Sequence, residues 1–228
     1  MDEKESWGII KETPYWIAVY KPAGMIVERS PFESPTLEEL VQTHFKTKKR
    51  PPFLGIVHRL DKPTSGVVVL AKKKSALKHL NRQFQDRKVK KIYWALIEGV
   101  LPAKEGKLSN WLVKDRQQKK AIISEVEIPN AKLAGLNYRV LDEKQGKMLL
   151  EIELLTGRYH QIRAQLAAVG CPIIGDHKYA TDTSDYSKAI ALHARALTFE
   201  DPQGNKPRNM MAPLPKAPWW EPFREQFE

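Results

Sequence analysis

Apolar and β-branched residues gather in short runs broken by turn formers, and only in a few places do they fall at helical spacing. Trp16-Ile17-Ala18-Val19-Tyr20 predicts a strand, stopped by Lys21-Pro22-Ala23-Gly24, with Met25-Ile26-Val27 as a return strand. Ser34-Pro35-Thr36-Leu37-Glu38-Glu39 predicts a helix start, with a serine cap, proline at the first position and acids in the first turn. Gly55-Ile56-Val57 leads into a polar loop, and Val67 to Ala71 then predicts a strand buried on both faces. Ser75 to Arg87 predicts a helix with Leu77, Leu80 and Phe84 on one stripe. Lys91 to Ile97 predicts a strand closed by Gly99. Tyr138 to Asp142 and Met148 to Leu155 predict a hairpin across Gln145-Gly146. Thr156-Gly157-Arg158 opens a helix from about Tyr159 to Val169, which Gly170 and Pro172 end. Leu192 to Phe199 predicts a late strand, turning at Asp201-Pro202-Gln203-Gly204. Interspersed elements with frequent hairpins predict an α+β fold with a mixed, largely antiparallel sheet flanked by helices. Neither a repeat nor a long linker divides the 228 residues, so a single domain over 1–228 is expected.

Composition narrows the partner. The net charge of +11 points to a polyanion, nucleic acid ahead of an anionic membrane. Lys72 to Lys91 holds nine Lys/Arg against the single acid Asp86, and Lys46, Lys48, Lys49 and Arg50 form a second run. Lys72, Lys73 and Lys74 are the candidate phosphate-binding rim; in isolation a solvated basic face is an equal reading. Leu77, Leu80 and Phe84 make too small an apolar face for a membrane-binding helix. Cys171 is the only cysteine, which excludes a disulfide framework and a multi-cysteine zinc site. The charged start Met1 to Ser6 has no apolar core behind it, so a cytoplasmic protein is expected.

The two basic runs flank His58-Arg59-Leu60-Asp61-Lys62-Pro63-Thr64-Ser65-Gly66. On local grounds this is first a turn between buried strands. Its neighbourhood adds a second reading. Arg59, Lys62 and the basic runs keep the Asp61 carboxylate ionised, fit to act as a nucleophile or electrostatic stabiliser and unfit as a general acid at neutral pH. Glycine-rich phosphate cradles, paired metal-ligand histidines and a Gly-x-Ser-x-Gly elbow are all absent from the sequence.

These residues resemble a family. His58-Arg59-Leu60-Asp61 with Thr64-Ser65-Gly66 is similar to the signature loop of RluA-type pseudouridine synthases, which act on ribosomal and transfer RNA. Lys91-Ile92-Tyr93-Trp94-Ala95-Leu96 resembles the strand carrying the family's active-site tyrosine. Leu155-Thr156-Gly157-Arg158-Tyr159-His160-Gln161-Ile162-Arg163, continuing into Gly170 to Asp176, resembles its helix-entry motif, and Leu192-His193-Ala194 its late strand. Lys21-Pro22-Ala23-Gly24 fits as well. The likeness runs from about Tyr15 to Pro213.

The resemblance implies isomerisation of uridine to pseudouridine with no cofactor and no metal. It assigns Asp61 as the nucleophile and Tyr93 as the ring that stacks on the uracil and takes part in removal of the C5 proton. Arg163 is implied to be the aspartate's ion partner, Leu192 an apolar pocket residue, and Arg59 an RNA contact when the target base is flipped out. His58 and His160 are expected to serve in structural hydrogen bonds. By residue type alone, Tyr93 and Leu192 would be core and Arg163 a surface arginine. Tyr159, Gln165 and Cys171 depart from the family pattern, where threonine, histidine and histidine are frequent, and bear on the choice of RNA. With Asp61 so early, a stand-alone catalytic domain without an S4-type domain is expected, as a monomer. The alternative is a non-catalytic RNA-binding or RNA-chaperone protein on the same fold.

Overall fold

The computed structural model describes residues 6–46, 52–180 and 189–227. In chain order its elements are β1 (Gly8–Glu12), β2 (Trp16–Lys21), α1 (Leu37–Lys46), β3 (Gly55–Ile56), β4 (Ser65–Ala71), α2 (Lys74–Gln85), β5 (Lys90–Ile97), β6 (Glu105–Asp115), β7 (Lys120–Ser124), β8 (Lys132–Lys144), β9 (Lys147–Leu154), α3 (Gln161–Ala168), β10 (Leu192–Glu200), β11 (Pro207–Met211), a 3-10 turn (Pro218–Trp220) and α4 (Glu221–Phe227). The expected α+β class with mainly antiparallel strands is what the chain adopts. None of the helices among the described residues is long and apolar enough to cross a membrane. The basic run at Lys48, Lys49 and Arg50 lies outside the described residues.

The chain forms two compact units, Met1–Lys90 with Ala194–Lys216, and Lys91–His193 with Ala217–Glu228. In the first, strands run in the order β1-β2-β4-β10, with β3 against β4 and β11 against β10. Every residue of β2 and β4 is buried, as their unbroken apolar runs demand. Trp16, Ala18 and Tyr20 pack with Val67, Val69 and Ala71, under Ala76 and Leu80 of α2 and beside Leu197 and Phe199. The β2–β4 register sets Lys21 opposite Gly66. The Lys21–Gly24 turn and the loop entering β4 therefore leave the same end of the ladder.

Two expectations shift here. Met25 to Val27 forms no strand. The carbonyls of Ile26 and Val27 instead accept the N–H groups of Leu37 and Glu38, both at 3.0 Å, supplying partners to helix donors that have none within the first turn. The cap of α1 is Thr36 rather than Ser34. Glu39 N–H donates to Thr36 Oγ1 (3.3 Å) and Thr36 N–H to Glu39 Oε2 (2.9 Å), a reciprocal capping box.

In the second unit the strand order is β5-β9-β8-β6-β7. The β8–β9 hairpin turns at Gln145 and Gly146, both at positive φ (53° and 70°), the geometry of a two-residue turn that follows strand twist. α3 begins two residues later than its pattern suggests, because His160 sits at φ 51° and ψ 26°. Its end is a Schellman motif: Cys171 N–H reaches Leu166 O and Gly170 N–H reaches Ala167 O, with Gly170 at φ 74°. The backbone of Pro172 to Ile174 and of Ala191 is stitched along β5, through Glu98 N–H to Pro172 O, Ile174 N–H to Leu96 O and Leu96 N–H to Ala191 O.

Candidate active site

Asp61 stands in a tight turn closed by Thr64 N–H donating to the Asp61 carbonyl (3.1 Å), five residues before Gly66 of β4. The flanks hold that turn in place. His58 Nε2 accepts the Val69 N–H at 3.1 Å while its ring stacks on Phe84, so this histidine is structural, as expected. Gly66 carries φ +129°, and a Cβ there would collide with Ala194 O and lie 2.6 Å from Ala194 N. Only glycine lets β4 leave the loop against the β10 backbone.

Lys21 is the residue that sequence reasoning passed over. It ends an apolar strand and is fully buried. Its Nζ donates to Pro22 O (2.9 Å), Met25 O (2.7 Å) and Lys62 O (3.3 Å). Gly24 N–H donates to the same Lys62 carbonyl at 2.8 Å. The Lys21–Gly24 turn is thus clipped onto the residue after Asp61. Burial draws the Lys21 ammonium down to about 7, with the Asp61 carboxylate pulling the other way. The signal was a lysine at the end of a strand that is otherwise apolar; residue type argued for surface, and strand phase argued for burial.

A pH prediction follows from Lys21. In the unfolded chain its amine keeps the ordinary value of 10.5, so between about pH 7 and 10.5 the unfolded state binds the extra proton and folding stability rises with pH. Below about 7 the ammonium is carried in both states and the slope vanishes. Thermal melts of the parent and Lys21→Met from pH 6 to 9.5 should show this rise in the parent and its absence in the variant. Parallel profiles would contradict the assignment.

Around the turn, Arg59 is exposed and pairs with Glu28 at 2.6 Å, and Lys62 pairs with Glu33 at 2.9 Å. A pair as open as Arg59–Glu28 contributes at most about 1 kcal/mol, so the guanidinium is free to exchange its partner. The rim needs one correction. Lys72 is 8% exposed, with Nζ at 2.6 Å from both Glu12 Oε1 and Thr13 O. It follows β4 directly, and the strand's burial carries it inward. Lys73 and Lys74 are exposed, Lys73 lying over the Tyr15 ring at 3.9 Å.

The remaining candidates belong to the second unit. Tyr93 is half-buried on β5, opposite Ile152 of β9, and Leu192 is 4% exposed at the start of β10. Arg163 is 4% exposed on α3, not a surface arginine. Its Nε and second guanidinium nitrogen donate to Asp176 Oδ2 (2.7 Å) and Oδ1 (2.8 Å), a buried bidentate pair that sequence reasoning did not assign. The helix entry is fixed by Thr156 and Gln161. Thr156 Oγ1 and Gln161 Oε1 lie 2.6 Å apart, while Gly135 N–H donates to Thr156 Oγ1 and Gln161 Nε2 donates to Gly135 O. Of the three departures from the family pattern, Gln165 is buried against Asn110 and Ala134, and Cys171 is buried, its thiol pushed up by desolvation. Tyr159 reaches the surface. No cluster of three or more His, Cys, Asp or Glu among the described residues could hold a metal ion.

The chain is similar to known proteins. The chain is 32% identical over 213 residues to ribosomal large subunit pseudouridine synthase C of Buchnera aphidicola, covering 90% of this chain and 66% of that protein. It is 37% identical over 191 residues to an uncharacterized RNA pseudouridine synthase of Aquifex aeolicus, covering 80% and 58%. It thus spans less than two thirds of the length of these curated relatives. The solved structure of human RNA pseudouridylate synthase domain containing 4 superposes with a TM-score of 0.74 at 26% identity, over 92% of this chain and 89% of that one. The family profile described as RNA pseudouridylate synthase matches residues 15–168, which takes in the Asp61 turn, β5 and all of α3, and the chain belongs to that family.

Proposed function

We propose that the chain isomerises specific uridines of ribosomal or transfer RNA to pseudouridine. The observation that carries this is the Asp61 turn: the family's signature loop is intact and is clipped by a buried ammonium to the preceding strand. In this reading the Asp61 carboxylate attacks the ribose of the target nucleotide and the glycosidic bond breaks. The uracil then turns, and its C5 bonds to the ribose carbon that it left. C5 displaces the aspartate as its bond forms, the C5 proton is lost and N1 takes one up, so nothing is oxidised, reduced or hydrolysed. Tyr93 stacks on the uracil and takes part in removing that proton. Arg163 supports the anionic nucleophile, and Leu192 limits competing water. Arg59 and the exposed lysines Lys73 and Lys74 contact the RNA around a flipped-out nucleotide. The enzyme works in the cytoplasm as a monomer, with no cofactor and no metal.

The relatives named for the large ribosomal subunit make its RNA the first substrate to test. Purified chain is incubated with large-subunit ribosomal RNA and with transfer RNA transcripts. Pseudouridine is then mapped by carbodiimide labelling and reverse-transcription stops. New stops at one or a few uridines are expected. Tight RNA binding without any new stop would favour the RNA-chaperone alternative.

A further inference from the structure

The β6–β7 hairpin ends in a basic tip, Lys114-Asp115-Arg116-Gln117-Gln118-Lys119-Lys120, in a stretch to which the reading above gives no role. Lys114, Arg116 and Lys119 are exposed and Lys120 is half-buried. The only acid of the tip is spent within the turn: Asp115 Oδ1 accepts the N–H groups of Gln117 (2.8 Å) and Gln118 (2.9 Å). Among the described residues no carboxylate pairs with any of the four cations. That differs from Arg59, Lys62 and Lys72, each of which has an acidic partner.

The tip is anchored at both of its strands. Tyr159, just before α3, stacks on His160 with ring centres 3.8 Å apart and planes 18° apart. Its hydroxyl donates to Lys119 O at 3.1 Å, and Lys114 Nζ lies 4.4 Å from its ring centre. One layer deeper, Tyr179 hydroxyl accepts the Ala121 N–H at 2.6 Å and sits 3.0 Å from His160 Nδ1. Desolvation, together with the charges of Arg163, Lys178 and Lys114, draws His160 down to about 3. Its imidazole is therefore neutral at working pH, and its Nδ1 pairs with the Tyr179 hydroxyl. Two hydrogen bonds thus tie the hairpin backbone at Lys119 and Ala121 to Tyr159 and Tyr179, and Lys114 rests on the Tyr159 ring, beneath a cluster of unneutralised cations. A merely solvated hairpin tip needs no such anchoring.

We infer that the β6–β7 tip is a second RNA-backbone contact, with Lys114, Arg116, Lys119 and Lys120 binding phosphates and Tyr159 positioning them. The inference rests on an RNA substrate, but its test does not depend on catalysis. With the hairpin backbone and Lys114 already held, less freedom is lost when phosphates arrive, which adds to the affinity of the four charges. Backbone contact of this kind sets where the RNA lies without reading its sequence.

The test is fluorescence anisotropy with a labelled ribosomal RNA stem–loop between about 50 and 200 mM salt. The full chain is compared with Lys114→Gln/Arg116→Gln/Lys119→Gln/Lys120→Gln. Four lost phosphate contacts should flatten the slope of log affinity against log salt by roughly 2.8 to 3.6 units. With three of the four sites exposed and Lys120 half-buried, they should leave the melting temperature within about 4 °C of the parent. Tyr159→Thr keeps all four charges and should weaken binding roughly threefold to tenfold, with the parent slope retained. A quadruple variant with the parent slope overturns the tip as a contact, and Tyr159→Thr with parent affinity overturns the positioning role. A parent that binds with the steep slope but forms no pseudouridine would sink the isomerase reading while leaving the tip standing. An active parent whose quadruple variant keeps the slope does the reverse.

Discussion

Asp61→Asn is expected to lower pseudouridine formation by at least ~10³-fold, because the amide keeps the side chain's shape but offers no anionic oxygen to attack the ribose. The main-chain hydrogen bond that closes the turn comes from the Asp61 carbonyl, and the Lys21 clip reaches Lys62, so neither needs the carboxylate. RNA affinity and melting temperature should therefore stay near those of the parent. Single-turnover assays with excess enzyme would separate the chemical step from binding. Activity within tenfold of the parent would remove Asp61 as nucleophile, and with it the mechanism proposed above. Lost activity together with a collapsed melt would show that the substitution had struck the fold, in which case Asp61→Glu, which keeps the charge but moves it by one methylene, decides between the two.

Gly66→Ala is expected to give the largest loss of stability. Two independent costs meet at this residue. At φ +129° an L side chain is strained, at roughly 1–3 kcal/mol, and its Cβ would collide with the backbone oxygen and nitrogen of Ala194. Overpacking of this kind costs about 1–3 kcal/mol more, because backbone cannot swing aside as a side-chain tip does. A total near 4 kcal/mol corresponds to a fall in melting temperature of roughly 8–16 °C for a chain of this size. Gly146→Ala is the control. Gly146 also has positive φ (70°), but no atom lies within 4 Å of its Cβ position, so only the conformational part of the cost applies. Equal melts for the two variants would show that the Ala194 contact is not tight. Gly66→Ala should also depress activity beyond its effect on stability, since Gly66 joins the Asp61 turn to β4.

Elements whose burial is written into their own composition were legible from the sequence. β2 and β4 are unbroken apolar runs, α2 has an apolar stripe, and the β8–β9 turn carries its own glycine. β1, β6, β7 and β11 were not foreseen. Most of β6 is exposed or half-buried, with Leu112 alone fully covered, so neither its apolar content nor its alternation separates it from a polar loop. It is a strand because β8 and β7 supply its hydrogen bonds on both sides. The same reasoning covers α1, where the sequence pointed to Ser34 as the cap. Thr36 took the role because Glu39, three residues on, closes the box with it.

For the site, the sequence by itself determined the chemistry on offer: an aspartate in a Thr-Ser-Gly loop, a tyrosine in an apolar strand, an arginine on a short helix, and an excess of cations. These are properties of residue type and order, and the family's motifs preserve them. Only the tertiary structure decided which charges are internal. Lys21 and Lys72 look alike on paper to Lys73 and Lys74, yet the first two are buried by the strands they adjoin, Lys21 on three carbonyls and Lys72 on Glu12. Arg163 looked exposed between Ile162 and Leu166, yet Asp176, thirteen residues on, makes its burial tolerable by accepting from two of its guanidinium nitrogens. A charge can be buried only where distant backbone or an opposite charge is brought within hydrogen-bond reach, and that proximity is created by strand register and helix packing rather than by any local pattern.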